Sequence, residues 1–281
     1  MSPHARVNGV SLYYEDAGRG RPLVLAHGFS ATARMWEGQV ATFCDRYRII
    51  TYDARGQGRS EVPADPGAYS QPIMVEDLRA LIAHLGLDRP VICGLSMGGN
   101  VVLNLALAHP EMVSGAVICG TGAGSEDPAA WAGTIQGWID LLEGPGIEAF
   151  AEMYIADPIL ASYADRSPNA REFLWKAITS NTARGLALGL RGTVGKRPPV
   201  YSLRDRLARL AMPAAIVVGD RDHWCTRVSA FLAATIPGAE LVEIADSGHM
   251  ANLEQPAQFN RALSRLLERV GSVNDIHSRR E

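Results

Sequence analysis

Gly94-Leu95-Ser96-Met97-Gly98 stands between an apolar run, Val91-Ile92-Cys93, and a stretch of helical spacing from Val101 to Ala108. A strand that turns abruptly into a helix leaves no room for side chains beside the turn, so Gly94 and Gly98 read as the residues that let the two elements approach. Such a turn pushes Ser96 outward at the helix N-terminus in a strained backbone conformation. Gly-x-Ser-x-Gly is common by chance, and a glycine-rich turn with an idle serine is the alternative. The strand-turn-helix setting gives the pattern its weight.

A serine hydroxyl is a poor nucleophile until a base takes its proton, and that base needs an acid to fix its tautomer. On this scaffold the chain order is serine, acid, histidine. Of the seven histidines, His223, His249 and His277 follow Ser96 at a distance; His277 lies in a polar tail and His223 adjoins the acidic candidates. His249, in Asp246-Ser247-Gly248-His249 after the last strand-like run, is the expected base; an inert surface-loop histidine is the alternative. Val217-Val218-Gly219-Asp220-Arg221-Asp222 ends another apolar run, which brings its carboxylates to the sheet edge where ligands collect. Asp222 is the chosen acid; Asp220, otherwise a brace for the turn, is second, and Asp246 third. An acyl-transfer oxyanion would need two N–H donors. Met97, after the nucleophile, supplies one, and Phe29 in His27-Gly28-Phe29 the other. His27 reads as a loop histidine bonded to backbone, not a second base.

These residues need a frame. Val7-Asn8-Gly9-Val10 reads as a hairpin, because Asn-Gly accepts positive φ. Apolar runs then recur at 23–26, 48–52, 90–93, 115–119, 214–218 and 239–244, separated by helical patterns such as Val75 to Leu85. Strands apolar on both faces alternating with helices predict a mainly parallel α/β sheet. The rhythm breaks from about 125 to 207, where Gly144-Pro145-Gly146, Asp157-Pro158 and Pro198-Pro199 divide helix-like pieces. The expected organisation is a core over 1–124 and 208–271, a helical cap over 125–207, a closing helix from about Ala257 to Val270, and a loose polar tail over 272–281. Trp131, Trp138, Met153 and Tyr154 in the cap are candidates to line an apolar pocket, with Phe150 and Trp175 beside them. Arg184, Arg191, Lys196 and Arg197 suit either a substrate carboxylate or a solvated helix face.

The 281 residues are 47% hydrophobic and 20% charged with net charge −3, a globular composition with no basic footprint for nucleic acid or anionic membranes. No apolar run reaches the roughly 18 residues of a membrane span, and no signal-peptide core is visible, so a cytoplasmic protein is expected. Cys44, Cys93, Cys119 and Cys225 show no metal-like or paired spacing. Cys119-Gly120-Thr121-Gly122-Ala123-Gly124-Ser125 lacks the third glycine of a dinucleotide loop. No metal or cofactor is expected, and oligomeric state is not legible.

His27-Gly28-Phe29, Asp53-Ala54-Arg55-Gly56-Gln57-Gly58-Arg59-Ser60, Gly94 to Gly99, Gly219 to Asp222 and Ser247-Gly248-His249 together resemble the α/β-hydrolase superfamily from about Leu12 to Val270. Within it the chain most resembles the enol-lactonase and small-carboxylesterase branch, from Leu78 through Met97 and from Met35-Trp36. The resemblance implies an eight-stranded sheet with an inserted helical cap, Asp222 as acid, and a cofactor-independent hydrolase of small apolar esters or lactones. Gln57 stands where the family often has histidine, a departure read as structural. Serine at position 96 argues against dehalogenase and epoxide hydrolase chemistry, which use aspartate there. Hydrolysis of carbon–carbon bonds in ring-cleavage products, or a receptor with little turnover, is the alternative.

Overall fold

The computed structural model describes residues 3–278, with side chains through residue 272. β1 (His4–Val7) and β2 (Val10–Ala17) form a hairpin whose turn residues Asn8 and Gly9 take φ of 45° and 73°. Positive φ at both central positions matches the twist of the flanking strands. β2 runs antiparallel to β4 (Tyr47–Tyr52). From there β3 (Arg21–Ala26), β5 (Val91–Leu95), β6 (Gly115–Cys119), β7 (Ala214–Gly219) and β8 (Glu240–Ile244) continue in parallel. The eight strands lie in the order β1-β2-β4-β3-β5-β6-β7-β8. Every residue of β5, β6 and β7 is buried, as their unbroken apolar runs require, whereas edge strand β8 alternates.

Helices α1 (Glu37–Phe43), α2 (Gln71–His84) and α3 (Met97–Ala108) belong to the first half of the sheet. Between β6 and β7 come α4 (Pro128–Glu143), α5 (Ile147–Ala156), α6 (Pro158–Ala164), α7 (Pro168–Thr179), α8 (Ala183–Gly189) and α9 (Arg204–Leu207). Of the breaks read from the sequence, Asp157-Pro158 is a helix start: Asp157 caps α6 through its side chain, as Asp127 and Ser167 cap α4 and α7, each followed by proline. Proline at the first helical position loses only an N–H that would have no partner, so these pairs set where each inserted helix begins.

α10 (Thr226–Thr235), α11 (Ala251–Glu254) and α12 (Pro256–Ser278) complete the fold. α12 runs past Val270, so residues 272–278 of the expected loose tail carry helical backbone. Nothing between Ser272 and Ser278 is proline or glycine, and the Ser272 hydroxyl donates to Glu268 O at 3.1 Å. The remainder of that tail, 279–281, lies outside the described residues. Among the described residues no helix is long and apolar enough to cross a membrane.

Candidate active site

The chain leaves β5 at Leu95 and enters α3 at Met97 through Ser96, which sits at φ 57° and ψ −113°. A non-glycine residue in that region is strained and persists only where its surroundings hold it. Here they do: a Cβ on Gly94 would stand 2.4 Å from Gly98 backbone, and one on Gly98 would stand 2.2 Å from Ala26 O. Ser96 N donates to Cys119 O at 2.8 Å, which pins the turn to β6.

Ser96 and His249 line the same narrow cavity, with Phe29 and Tyr154 between core and inserted helices. His249 Nδ1 lies 2.7 Å from Asp222 Oδ2, and both residues are buried. Since a carboxylate only accepts, Nδ1 carries the proton and Nε2 keeps its lone pair. Burial disfavours the charged imidazolium, but the charge and hydrogen bond of Asp222, helped by Glu254, outweigh it and raise the His249 pKa above the ordinary 6.5. Asp222 Oδ1 has no hydrogen-bond partner among the described residues.

The acid candidates separate by geometry. Asp220 faces the loop and accepts the amides of Ser247 at 2.9 Å and Asp246 at 3.0 Å, and the Ser247 amide leads in lowering its pKa. Asp246, at φ 56°, pairs with Arg221 at 2.6 Å on the surface. Gly120, at φ 51°, lies against the dyad; a Cβ there would stand 3.2 Å from His249 Cε1 and 3.3 Å from Asp222 Oδ2. The glycine loop after β6 thus serves close packing, since Gly122 and Gly124 in turn face Val228 and Trp131.

Among the described residues neither the Phe29 nor the Met97 amide donates to another protein group, and both residues line the cavity. Their segments are joined by Gln57, whose Oε1 accepts Ser30 N at 2.8 Å and whose Nε2 lies 3.4 Å from Met97 Sδ. His27 is a buried clamp: Nδ1 bonds Gly28 O at 2.7 Å and Nε2 accepts Ala54 N at 2.8 Å. Burial lowers its pKa despite Asp53, which keeps it neutral, as a backbone-bonded loop histidine should be.

Of the aromatic candidates, Trp131, Trp138 and Tyr154 line the cavity. Trp131 and Trp138 are seven positions apart on α4 and share a face. Met153 packs instead against the hydrophobic core, because it adjoins Tyr154 on α5 and successive helical residues point about 100° apart. Phe150 stacks on Tyr154 at 5.1 Å beneath the lining.

Two contributors escaped the sequence. Cys225, on no recognisable spacing, brings its sulfur within 4.8 Å of the Asp222 and His249 ligand atoms; burial, then the Asp222 charge, push its thiol well up, so it stays protonated. Glu254, with its side chain fully buried, accepts Gly248 N at 2.9 Å, Met250 N at 3.1 Å and the Ser162 hydroxyl at 2.6 Å, and lies 3.4 Å from Arg166. It therefore grips the chain on both sides of His249 and ties that loop to α6. Glu254→Ala would orphan two amides and a hydroxyl at once, and we expect it to cost about 3 kcal/mol of stability. kcat should fall more than KM rises, because His249 loses its position; thermal unfolding and steady-state kinetics on one preparation measure both.

The sequence profile of the alpha/beta hydrolase fold matches residues 21–256. 3-Oxoadipate enol-lactonase 2 of Acinetobacter baylyi is 28% identical over 263 residues, covering 92% of this chain and 94% of that protein. The crystal structure of the enol-lactonase from Burkholderia xenovorans superposes with TM-score 0.82 at 27% identity, covering 95% of this chain and 100% of that one. A thermophilic esterase from Thermogutta terrifontis superposes with TM-score 0.81 at 32% identity, covering 93% and 94%. With the sheet order, the strained serine turn and these likenesses in agreement, this chain belongs to the alpha/beta hydrolase family, on its enol-lactonase and esterase branch.

Proposed function

We propose that the protein is a serine hydrolase of carboxylic esters or lactones, working through an acyl-enzyme without a cofactor. The observation that carries this reading is the meeting in one cavity of Ser96 on its strained turn and His249 with Nδ1 bonded to buried Asp222. Ser96 Oγ attacks the carbonyl carbon while its proton passes to His249 Nε2. The oxyanion then faces the Phe29 and Met97 amides, which donate to it. Collapse breaks the bond to the leaving oxygen, which takes the proton from His249; in a lactone that alcohol stays tethered to the acyl group. A water gives its proton to the freed Nε2 and attacks the acyl carbon. The second collapse releases the acid and returns the proton to Ser96. Asp222 stays ionised throughout and favours the imidazolium over the neutral ring. The apolar wall of Phe29, Trp138, Tyr154 and Ile159 suits an apolar acyl or ring portion.

A p-nitrophenyl alkylphosphonate, which mimics the tetrahedral adduct, should inactivate the protein and add its mass to the peptide carrying Ser96. Repeated turnover of p-nitrophenyl butyrate and of small lactones is the companion result. Label elsewhere, or release of no more than one equivalent of nitrophenol, refutes the reading.

The raised His249 pKa predicts the acid limb of the rate profile. The base works only when unprotonated, so kcat/KM should fall as pH drops through a midpoint above 6.5, the ordinary histidine value. In Asp222→Asn both main causes of the upward shift disappear while burial remains, so the residual activity should show that limb displaced to lower pH.

A further inference from the structure

A cleft of about 600 Å³ lies between the chain entering α2 and residues 188–198, and it shares no lining residue with the cavity that holds Ser96 and His249. Of the four cations in the inserted region, Arg191 and Lys196 line this cleft, Arg197 lines the cavity of Ser96, and Arg184 donates to Ala64 O at 3.0 Å. Arg191 pairs with Glu143 at 2.6 Å through Nη2, which leaves its other N–H groups to donate. Lys196 is exposed and makes no ion pair among the described residues. Among those residues no aspartate or glutamate lines the cleft, so its charge is positive.

Gln71, the first residue of α2, lines the same cleft. It is only 7% exposed, yet neither Oε1 nor Nε2 of its side chain has a hydrogen-bond partner among the described residues. A buried amide unpaired at both ends is a cost that an apolar side chain of similar size would avoid. Its backbone N–H adds a donor without an intrahelical acceptor, at the positive end of a helix of 14 residues. Pro72 has no N–H, and Ile73 N is taken by Ser70 Oγ at 3.3 Å. A free side-chain donor and acceptor, a free helix amide and two cations thus meet at one cleft, a set of groups suited to an anion.

The segment behind the cleft also reaches the cavity of Ser96. Val194 and Arg197 line that cavity, while Arg191, Gly192 and Lys196 line the cleft. Between them runs a single π turn, Leu190–Val194, followed by Gly195, whose N–H donates to Leu190 O at 2.8 Å. Such wide turns recur at functional sites. Gly192 seats the turn on the chain before α2, since a Cβ there would stand 2.1 Å from Tyr69 O.

We propose that this cleft is an accessory binding site for a small phosphomonoester, and that its occupancy is felt at Ser96 through residues 190–197. A phosphomonoester has three peripheral oxygens to accept from Lys196, the Gln71 side chain and the first amide of α2. Singly protonated, it also carries a P–O–H that donates to Gln71 Oε1. A carboxylate has two oxygens and no proton at neutral pH, and leaves that acceptor unanswered. Pro66, Pro72, Leu188 and Pro198 give the organic part of the ester an apolar wall. The site goes beyond the hydrolase reading, and the binding does not depend on it.

Phenyl phosphate is the probe, titrated calorimetrically into the wild type, Gln71→Leu and Lys196→Met, with benzoate as the carboxylate control. The wild type should bind phenyl phosphate at least about tenfold more tightly than benzoate, and each substitution should weaken that binding by at least about tenfold. Without ligand, Gln71→Leu should unfold at the same temperature as the wild type or a higher one, because it removes an unpaired buried amide. A glutamine kept for structure alone would show the opposite. Phenyl phosphate should also change kcat toward p-nitrophenyl butyrate in a way that excess ester does not reverse, and both variants should lose that response. Binding that ignores Gln71 and Lys196, with purely competitive inhibition, overturns the inference and leaves the hydrolase standing. Binding that needs both residues while kcat stays constant overturns the coupling alone. If the ester is not turned over, the hydrolase reading falls and calorimetry still decides the site.

Discussion

Ser96→Ala is expected to lower kcat toward p-nitrophenyl butyrate by about 10⁴–10⁶, leaving only what the oxyanion donors and substrate binding supply. The substitution is clean because alanine keeps the Cβ and adopts the same strained backbone, with φ 57° and ψ −113°, at much the same cost as serine. The contacts that hold the turn are backbone ones: Ser96 N to Cys119 O at 2.8 Å, and the close approaches at Gly94 and Gly98. Only the nucleophilic oxygen is lost. Circular dichroism and the thermal midpoint should therefore match the wild type while turnover disappears. Retained turnover in a folded Ser96→Ala protein would refute attack by this hydroxyl.

Asp222→Asn should cost about 10⁴ in kcat/KM, by analogy with other triads. The bond from His249 Nδ1 to Asp222 Oδ2, 2.7 Å long and buried, fixes the ring so that Nε2 is free to accept a proton. An asparagine can offer an N–H to Nδ1 instead, which moves the ring proton to Nε2 and blocks the base. It also withdraws the negative charge that makes an imidazolium tolerable inside the protein. Asp220→Asn is the matched control, because Asp220 holds two loop amides and does not touch the imidazole. It should lower kcat/KM by no more than about tenfold, through some slack in the loop that carries His249. Were Asp220→Asn the more damaging change, the acid would have to be reassigned. Residual rates in the two variants, measured with enough protein to see a 10⁵-fold loss, decide it.

The His249 loop joins these effects to the inserted helices. Glu254 holds amides on both sides of His249 and also accepts the Ser162 hydroxyl, 92 residues away on α6. Asn181, just after α7, accepts Gly58 N at 2.8 Å and donates to Ser30 O at 3.0 Å, next to Phe29. The helices over the cavity are therefore fastened at both its His249 and its Phe29 ends. A change that displaces them should alter kcat as well as substrate choice.

Features that rest on neighbouring residues were legible in the sequence. The hairpin at Asn8-Gly9, the buried parallel strands, the break at Asp157-Pro158, and the turn at Gly94-x-Ser96-x-Gly98 all express local geometry. Chain order placed Asp222 and His249 at strand ends on one edge, and a resemblance to hydrolases supported the choice between Asp222 and Asp220. Identity at a distance was not legible. Arg197 has the same charge and local setting as Lys196, and only the fold turns one into the cavity and the other to solvent. Tyr154 lines the site and Met153 does not, because the rotation of α5 about its axis is set by packing against α4 and α7. Glu254 looks like any acid near a helix, and Cys225 like any apolar cysteine, until the chain brings amides to one and a carboxylate to the other. Periodicity and turn chemistry act over a few residues, so sequence carries them directly. Which polar group meets which partner depends on contacts tens to hundreds of residues apart, and those exist only once the sheet and the helices above it have packed.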